Sequence, residues 1–314
     1  MKTSISTLTH KKLFISALFA SLLGGISLHS LAFDFQGALK DAAEKKIGLK
    51  PESTSPESKD AASTPATNAV ATKEAKPAFN WKNPSKEEEI ALGREITGNL
   101  LGAAPLVKDA ALQKYVNSVG RWVASQSERP DLPWRFGVID SSDLNAFSAP
   151  GGYVVLTKGL YLKLTNEAQL AGVLGHEIAH VVRKHQLKLL QKQQLLSMGA
   201  GFLSDQLTKG NDLISKVIGT GAEISARSLD KDAEYEADRL GLSYATRAGY
   251  EPFGLADVLQ TLGQTSKDDS SVALLFKTHP LPDDRLSTLA DAVGNKLDNI
   301  KNGKTLENRF YHIK

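Results

Sequence analysis

From Ser85 to Ala290 the apolar positions recur mostly every three or four residues, the period of amphipathic helices. "SKEEEIALGREITGNLL" opens on Ser85 with Glu88 three residues on, a capping-box pattern that predicts a helix start. "DAALQKYVNSVGRWVASQ" sets Leu112, Tyr115, Val116, Val119 and Val123 on one face. A helix is predicted from a cap at Asn166 through "NEAQLAGVLGHEIAHVVRKHQ" towards Leu196. Another runs from near Asp230 and ends before Gly249, with Pro252 beyond it. "EPFGLADVLQTLGQ" and "DRLSTLADAVGNKL" repeat the helical spacing. Only "WRFGVID" and "GYVVLT" read as strands, joined by "SSDLNAFSAPGG". The pattern predicts an α+β, predominantly helical domain over residues 81–314, with a small β-sheet.

The front of the chain differs. Residues 1–32 combine a basic start, the apolar run "LFISALFASLLGGISL" and small residues at Ser30 and Ala32, which predicts an export signal cleaved before Phe33. The apolar run is short for a bilayer span. Residues 33–80 are read as a short amphipathic helix followed by a tether rich in Ser, Thr, Pro and Ala. Without aromatic residues between Lys50 and Pro77, the tether buries too little apolar surface to offset its ordering entropy. The Gly- and Ser-interrupted stretch 195–228 predicts no definite element, and no repeat of 20–50 residues is visible.

Charge and cysteine narrow the function. Three of the 38 basic residues and none of the 35 acidic ones fall in the signal, so the remaining chain is balanced and carries no signature of nucleic-acid binding. There is no cysteine, which excludes disulfides, thiol nucleophiles, thiolate metal sites and a lipid-modified N-terminal cysteine. A soluble periplasmic product is expected, holding any metal through His and carboxylate.

His176 and His180 lie four apart, about 40° around a helix and about 6 Å along it, so both imidazoles reach one ion. Glu177, about 100° round, is close enough to touch water at that ion. This is the HExxH arrangement, two zinc-ligating histidines with a glutamate base. A helix with surface histidines is the other reading. It conflicts with Leu170, Val173, Leu174, Ile178 and Val181, which mark a buried segment whose imidazoles need partners.

Two nitrogens do not complete a site. A metzincin continuation requires Gly and His where this chain has Arg183 and Gln186. His185, about 140° away on a continuing helix, is expected to be solvated among Arg183, Lys184 and Lys188. In "DKDAEYEADRLGLSYA", Glu234 and Asp238 share a face with Ala237, Gly241 and Ala245, small residues that permit close helix contact. Glu234 then ligates while Asp238 accepts the free N–H of a ligating histidine. The other reading is a charged face pairing Glu234 with Arg239. Glu236, about 200° from Glu234, is expected to face elsewhere. Three protein ligands leave a position open for water, the mark of a catalytic site. One zinc ion per chain is expected, with Glu177 as general base in peptide hydrolysis. The same ligand types accept manganese or cobalt.

Three blocks, "NAFSAPGGYVVLTKGL", "HEIAH" and "EYEAD", together resemble the zinc metallopeptidases grouped with the CAAX prenyl protease and the heat-shock protease HtpX, from about Ser85 to about Ala290. The likeness is nearest to the soluble periplasmic branch, without the transmembrane helices, tetratricopeptide repeats or lipid-anchor cysteine of its relatives. The resemblance implies a gluzincin-type domain with its sheet edging the active-site cleft, Glu234 as third ligand and Glu177 as base. It implies that Asn145, Ala146 and Phe147 belong to a substrate-binding strand along the cleft, to which an extended peptide adds by main-chain hydrogen bonds. From the bare sequence, a turn before a strand is an equal reading. "FKTHPLPDDRL" corresponds to a His-Pro…Arg block of the family, which implies catalytic roles for His279 and Arg285 as oxyanion donors. His279 has two other readings: a latch on the open zinc position, or a loop histidine before proline.

The implied substrates are unfolded or misassembled envelope proteins, with an association with envelope assembly machinery. A second class also fits: a chaperone or assembly factor that binds extended chains, with zinc mainly structural or its cleavage latent.

Overall fold

The computed structural model describes residues 79–201, 229–266, 268–297, 300 and 302–313. The expected signal, the short helix, the tether of residues 50–77 and the stretch 202–228 lie outside the described residues.

Helix α1 (Lys86–Ala103) begins at Ser85, whose hydroxyl accepts the Glu88 N–H while the Glu88 carboxylate accepts the Ser85 N–H. Helix α2 (Ala110–Ala124) is capped by Asp109. Strands β1 (Arg135–Ile139), β2 (Ala146–Ala149) and β3 (Tyr153–Thr157) form a sheet of order β1-β3-β2, with β1 parallel and β2 antiparallel to β3. The helices that follow are α3 (Lys158–Lys163), α4 (Glu167–Val182), α5 (His185–Gly201), α6 (Lys231–Arg247), α7 (Gly254–Gly263), α8 (Ala273–Thr278) and α9 (Pro282–Val293). The architecture is the helical α+β domain that the pattern predicted. Among the described residues no helix is long and apolar enough to cross a membrane.

Helix α4 runs through the core, and every residue from Glu167 to Val182 is buried. It packs against α6, α7 and α2 and against β2. Leu170, Leu174 and Ile178 are fully enclosed, each worth about 1.5–3 kcal/mol of transfer free energy. The strands alternate between two layers: Ala146 joins the main core with α4, whereas Phe147 packs with Leu100, Ile139 and Val155 towards α1.

The α4–α6 contact is made backbone to backbone. A Cβ placed on Gly175 would lie 2.6 Å from the Gly241 carbonyl oxygen, and one on Gly241 would lie 2.5 Å from the His176 nitrogen. No side chain fits at either position, so the small-residue face of α6 settles directly on the histidine-bearing face of α4.

The single helix expected towards Leu196 is two. Helix α4 ends at Val182, Lys184 takes a left-handed conformation with φ 58°, and α5 restarts at His185. Lys184 bonds Glu89 at 2.6 Å and Arg129 bonds the same carboxylate at 2.8 Å. Glu89 is buried, and a buried carboxylate left without cations is costly, so the two ion pairs secure the turn. No glycine or asparagine marks the break, which is why the apolar period reads through it.

At the other end of α4, Glu167 is buried and accepts bonds from Tyr115 at 2.9 Å, Tyr250 at 2.7 Å and Arg309 Nε at 2.8 Å. Burial works against its charge, but Arg309 and the two hydroxyls hold its pKa below the ordinary 4.5. A depressed folded pKa adds stability above the unfolded value and loses it as pH falls through the folded one. The wild type is therefore expected to exceed Glu167→Gln in stability at pH 7, on the order of 1–3 kcal/mol. Urea unfolding across pH should show that gap shrinking as pH drops below the unfolded value. A gap that stays constant down to pH 3 would contradict this linkage.

Candidate metal centre

Four side chains from three elements converge. The Nε2 atoms of His176 and His180, both on α4, are 3.0 Å apart. Glu234, in the first turn of α6, places Oε2 3.6 Å from His176 Nε2 and Oε1 3.6 Å from His180 Nε2. His279, at the C-terminal cap of α8, brings Nε2 to 3.8 Å from Glu234 Oε2. One donor atom from each of the four lies within 4.8 Å of the others.

The chemistry of this cluster fits a cation. Both oxygens of Glu234 are buried without a hydrogen-bond partner, and the residue is fully enclosed. Such a carboxylate is costly unless something positive satisfies it. Burial pushes its pKa up to about 7, against the pull of His176. Burial also holds His180 and His279 well below the usual imidazole value, which keeps their ring lone pairs available. Tetrahedral zinc with bonds of about 2.0–2.1 Å requires donors roughly 3.3 Å apart. The three closest contacts with Glu234 and between the two α4 histidines, 3.0, 3.6 and 3.6 Å, bracket that value. The donor set of imidazole nitrogens and one carboxylate suits a divalent metal ion.

Asp238, one turn beyond Glu234, lies 2.9 Å from His176 Nδ1 through Oδ1. Arg285 on α9 grips the same carboxylate twice, Nε to Oδ2 at 2.9 Å and Nη2 to Oδ1 at 2.5 Å. Burial opposes the charge of Asp238, but the guanidinium holds its carboxyl well below the usual range. Arg285 was expected as an oxyanion donor. Its guanidinium instead lies 3.2 Å from His176 Nδ1, on the side of that ring away from Nε2. Its Nε and Nη2 both donate to Asp238, behind the His176 ring.

Glu177 is buried beside His176, and burial raises its pKa above the ordinary 4.5, opposed by the His176 charge and the Ser148 hydroxyl. A base of raised pKa suits proton transfer near neutral pH. Of the residues expected along the cleft, Phe147 borders a pocket together with Ser148, Ala149 and Gln186. Asn145 is fully buried with Oδ1 on the Ala146 N–H, Ala146 faces the core, and Phe147 packs towards α1. The β2 side chain facing Glu177 is Ser148, which strand alternation would have suggested once β2 was placed.

His185 departs most from expectation. It is buried rather than solvated, with Nδ1 2.9 Å from His180 Nδ1 and Nε2 3.2 Å from Glu236 Oε2. The cause is the left-handed Lys184, which turns the next residue back onto α4. The signal available in the sequence was Glu89, an acid amid the apolar face of α1 that needed cations to bury.

Helix-borne HExxH histidines facing a glutamate from a second helix, beside the edge of a small sheet, define the class of helical α+β metallopeptidases. The chain belongs to peptidase family M48, which matches residues 110–293. It is 32% identical over 212 residues to the beta-barrel assembly-enhancing protease of Yersinia pestis, covering 65% of this chain and 43% of that protein. It is 27% identical over 211 residues to the mitochondrial metalloendopeptidase OMA1 of Arabidopsis thaliana, covering 66% and 42%. To the metalloprotease YcaL of Escherichia coli it is 27% identical over 165 residues, covering 52% and 63%. The chain thus spans about two fifths of the length of the first two relatives. The family is the one the three sequence blocks resemble.

Proposed function

We propose that residues 81–314 form a zinc-dependent endopeptidase in which His176, His180 and Glu234 hold one ion and Glu177 is the general base. The observation that carries this reading is the partnerless buried carboxylate of Glu234 turned towards imidazole nitrogens. When bound, the ion supplies Lewis acidity, polarising the scissile carbonyl and making water acidic enough to attack near neutral pH. Glu177 accepts a proton from the attacking water and delivers it to the amine nitrogen as the peptide bond breaks. Asp238 accepts the Nδ1–H of His176 and so aims its Nε2 into the cluster; Arg285 fixes Asp238.

Strand β2 supplies the substrate edge in this reading. The Thr157 N–H to Asn145 carbonyl bond of 2.9 Å marks a hydrogen-bonded pair, so by alternation Phe147 and Ala149 also pair with β3. The main-chain groups of Ala146 and Ser148 then face away from β3, and the Ala146 N–H is taken by Asn145. Ser148 is left to receive an extended peptide within reach of Glu177. Main-chain pairing of this kind favours unfolded chains over particular sequences.

The signal-like residues 1–32 support export to the periplasm. The relative's name, a beta-barrel assembly-enhancing protease, supports misassembled envelope proteins as substrates and a working association with their assembly machinery. Zinc analysis and casein cleavage by the full chain test the reading. One zinc per chain and zinc-dependent cleavage are expected, and a metal-free, inactive protein would overturn it.

In the same reading His279, whose Nε2 lies 3.8 Å from Glu234 Oε2, would take the position that three ligands leave open. Thr278 Oγ1 lies 2.9 Å from the Leu274 carbonyl and 2.8 Å from His279 Nδ1; with the hydroxyl donating to the carbonyl, it accepts the Nδ1–H and leaves the Nε2 lone pair for the cluster. A histidine so held acts as a latch that substrate must displace. His279→Ala is therefore expected to raise casein cleavage several-fold, which corresponds to about 1 kcal/mol of barrier. A loss of activity in that variant would make His279 a catalytic donor.

A further inference from the structure

The two α4 histidines are supported from behind in different ways. The Nδ1 of His176 meets a carboxylate directly, at Asp238. The Nδ1 of His180 meets a second imidazole, that of His185, at 2.9 Å, and only then a carboxylate, Glu236, 3.2 Å from His185 Nε2. Arg183 holds the far oxygen of Glu236 at 3.0 Å. The two rings stand edge to face, with centroids 5.1 Å apart, and His185 is 6% exposed.

One arrangement of protons satisfies the whole chain of contacts. If His180 keeps Nε2 free to ligate, its proton sits on Nδ1 and is donated to His185 Nδ1. His185 then carries its own proton on Nε2 and donates it to Glu236, which in ionised form only accepts. The reverse direction fails at the carboxylate end. The contact exists only because the chain turns at Lys184; on an uninterrupted helix His185 would point about 140° away from His180.

We infer that His185 and Glu236 form a positioning relay for His180, fixing the tautomer that ligates and raising the basicity of its Nε2. The inference rests on the reading of His180 as a zinc ligand. The relay couples the metal centre to the turn between α4 and α5. Glu89 on α1 and Arg183 at the helix end thereby help set how firmly zinc is held. Outer partners of ligating histidines typically account for 10–100-fold in metal affinity.

The test is zinc affinity of the full chain, measured by competition with a chromogenic chelator, for wild type, His180→Ala, His185→Ala, His185→Gln and Glu236→Gln. His185→Ala is expected to bind zinc about 10–100-fold more weakly. His185→Gln, whose amide oxygen accepts the same N–H and whose amide nitrogen donates to Glu236, should recover most of that loss. Glu236→Gln, at the half-exposed end of the relay, should show a smaller loss. A second readout is the His180 Nδ1–H resonance in the zinc-loaded protein, expected in wild type and His185→Gln and lost in His185→Ala. If His185→Ala does not fold, His185→Gln and Glu236→Gln decide the matter through the same resonance and affinities. Wild-type affinity in both His185→Ala and Glu236→Gln, with zinc lost in His180→Ala, overturns the relay and leaves the zinc site standing. Wild-type affinity in His180→Ala overturns the zinc site itself.

Discussion

Glu177→Gln is expected to lower casein cleavage by about 10²–10⁴-fold while zinc content and fold stay as in wild type. Glutamine matches glutamate in shape, and Glu177 sits in a fully packed position at 3% exposure, so the substitution disturbs little besides chemistry. What it removes is a carboxylate whose burial raises its affinity for a proton. An amide cannot accept that proton, so the attacking water keeps it. The same variant separates the enzyme from a chain-binding protein. Binding of unfolded casein through the β2 edge should survive in Glu177→Gln, because no main-chain group is altered. Cleavage at the wild-type rate would remove Glu177 from the mechanism. Zinc-loaded wild type that holds casein without cutting it would favour the binding function.

The second large effect is expected at a glycine. In Gly241→Ala the new Cβ would lie 2.5 Å from the His176 nitrogen and 2.8 Å from the Gly175 carbonyl carbon. These are backbone atoms of a fully buried helix and cannot swing aside, so α6 must move away from α4. Asp238 lies three residues and Glu234 seven residues before Gly241 on the same helix, and both move with it. Overpacking of this sort typically costs 1–3 kcal/mol, and the zinc contribution to stability should be lost as well. Denaturant unfolding with and without zinc reads both effects. Gly98→Ala is the control: nothing lies within 4 Å of its added Cβ, and replacing a helical glycine should be neutral or stabilising by about 0.5–1 kcal/mol. If Gly241→Ala keeps wild-type stability and its zinc-dependent gain, the close helix contact is not what positions Glu234.

The sequence made some of this readable and hid the rest for identifiable reasons. His176, His180, Glu234 and Asp238 could be placed because each pair sits on one continuous helix, where spacing converts directly into direction. The capping box at Ser85 and the caps at Asn166 and Asp230 gave helix starts for the same local reason. Directions failed where the helix did not continue. Lys184 adopts a left-handed conformation without the glycine that usually announces one, so helix spacing directs His185 to solvent whereas it faces His180. The Lys184 side chain pairs with Glu89, 95 positions earlier, a contact no local pattern contains. Strand β2 has only four residues, too few for alternation to show, and the faces of Asn145, Phe147 and Ser148 depend on pairing with β3. Arg285 was known only as part of a block. Its grip on Asp238 is a tertiary fact.

The most direct test of the metal centre is anomalous diffraction at the zinc edge from crystals of the full chain grown with zinc. The expected result is one strong peak per chain within bonding distance of His176 Nε2, His180 Nε2 and a Glu234 carboxylate oxygen. No peak at that position, or a zinc ion bound elsewhere with Glu234 still bare, would contradict the assignment on which the proposed hydrolysis depends.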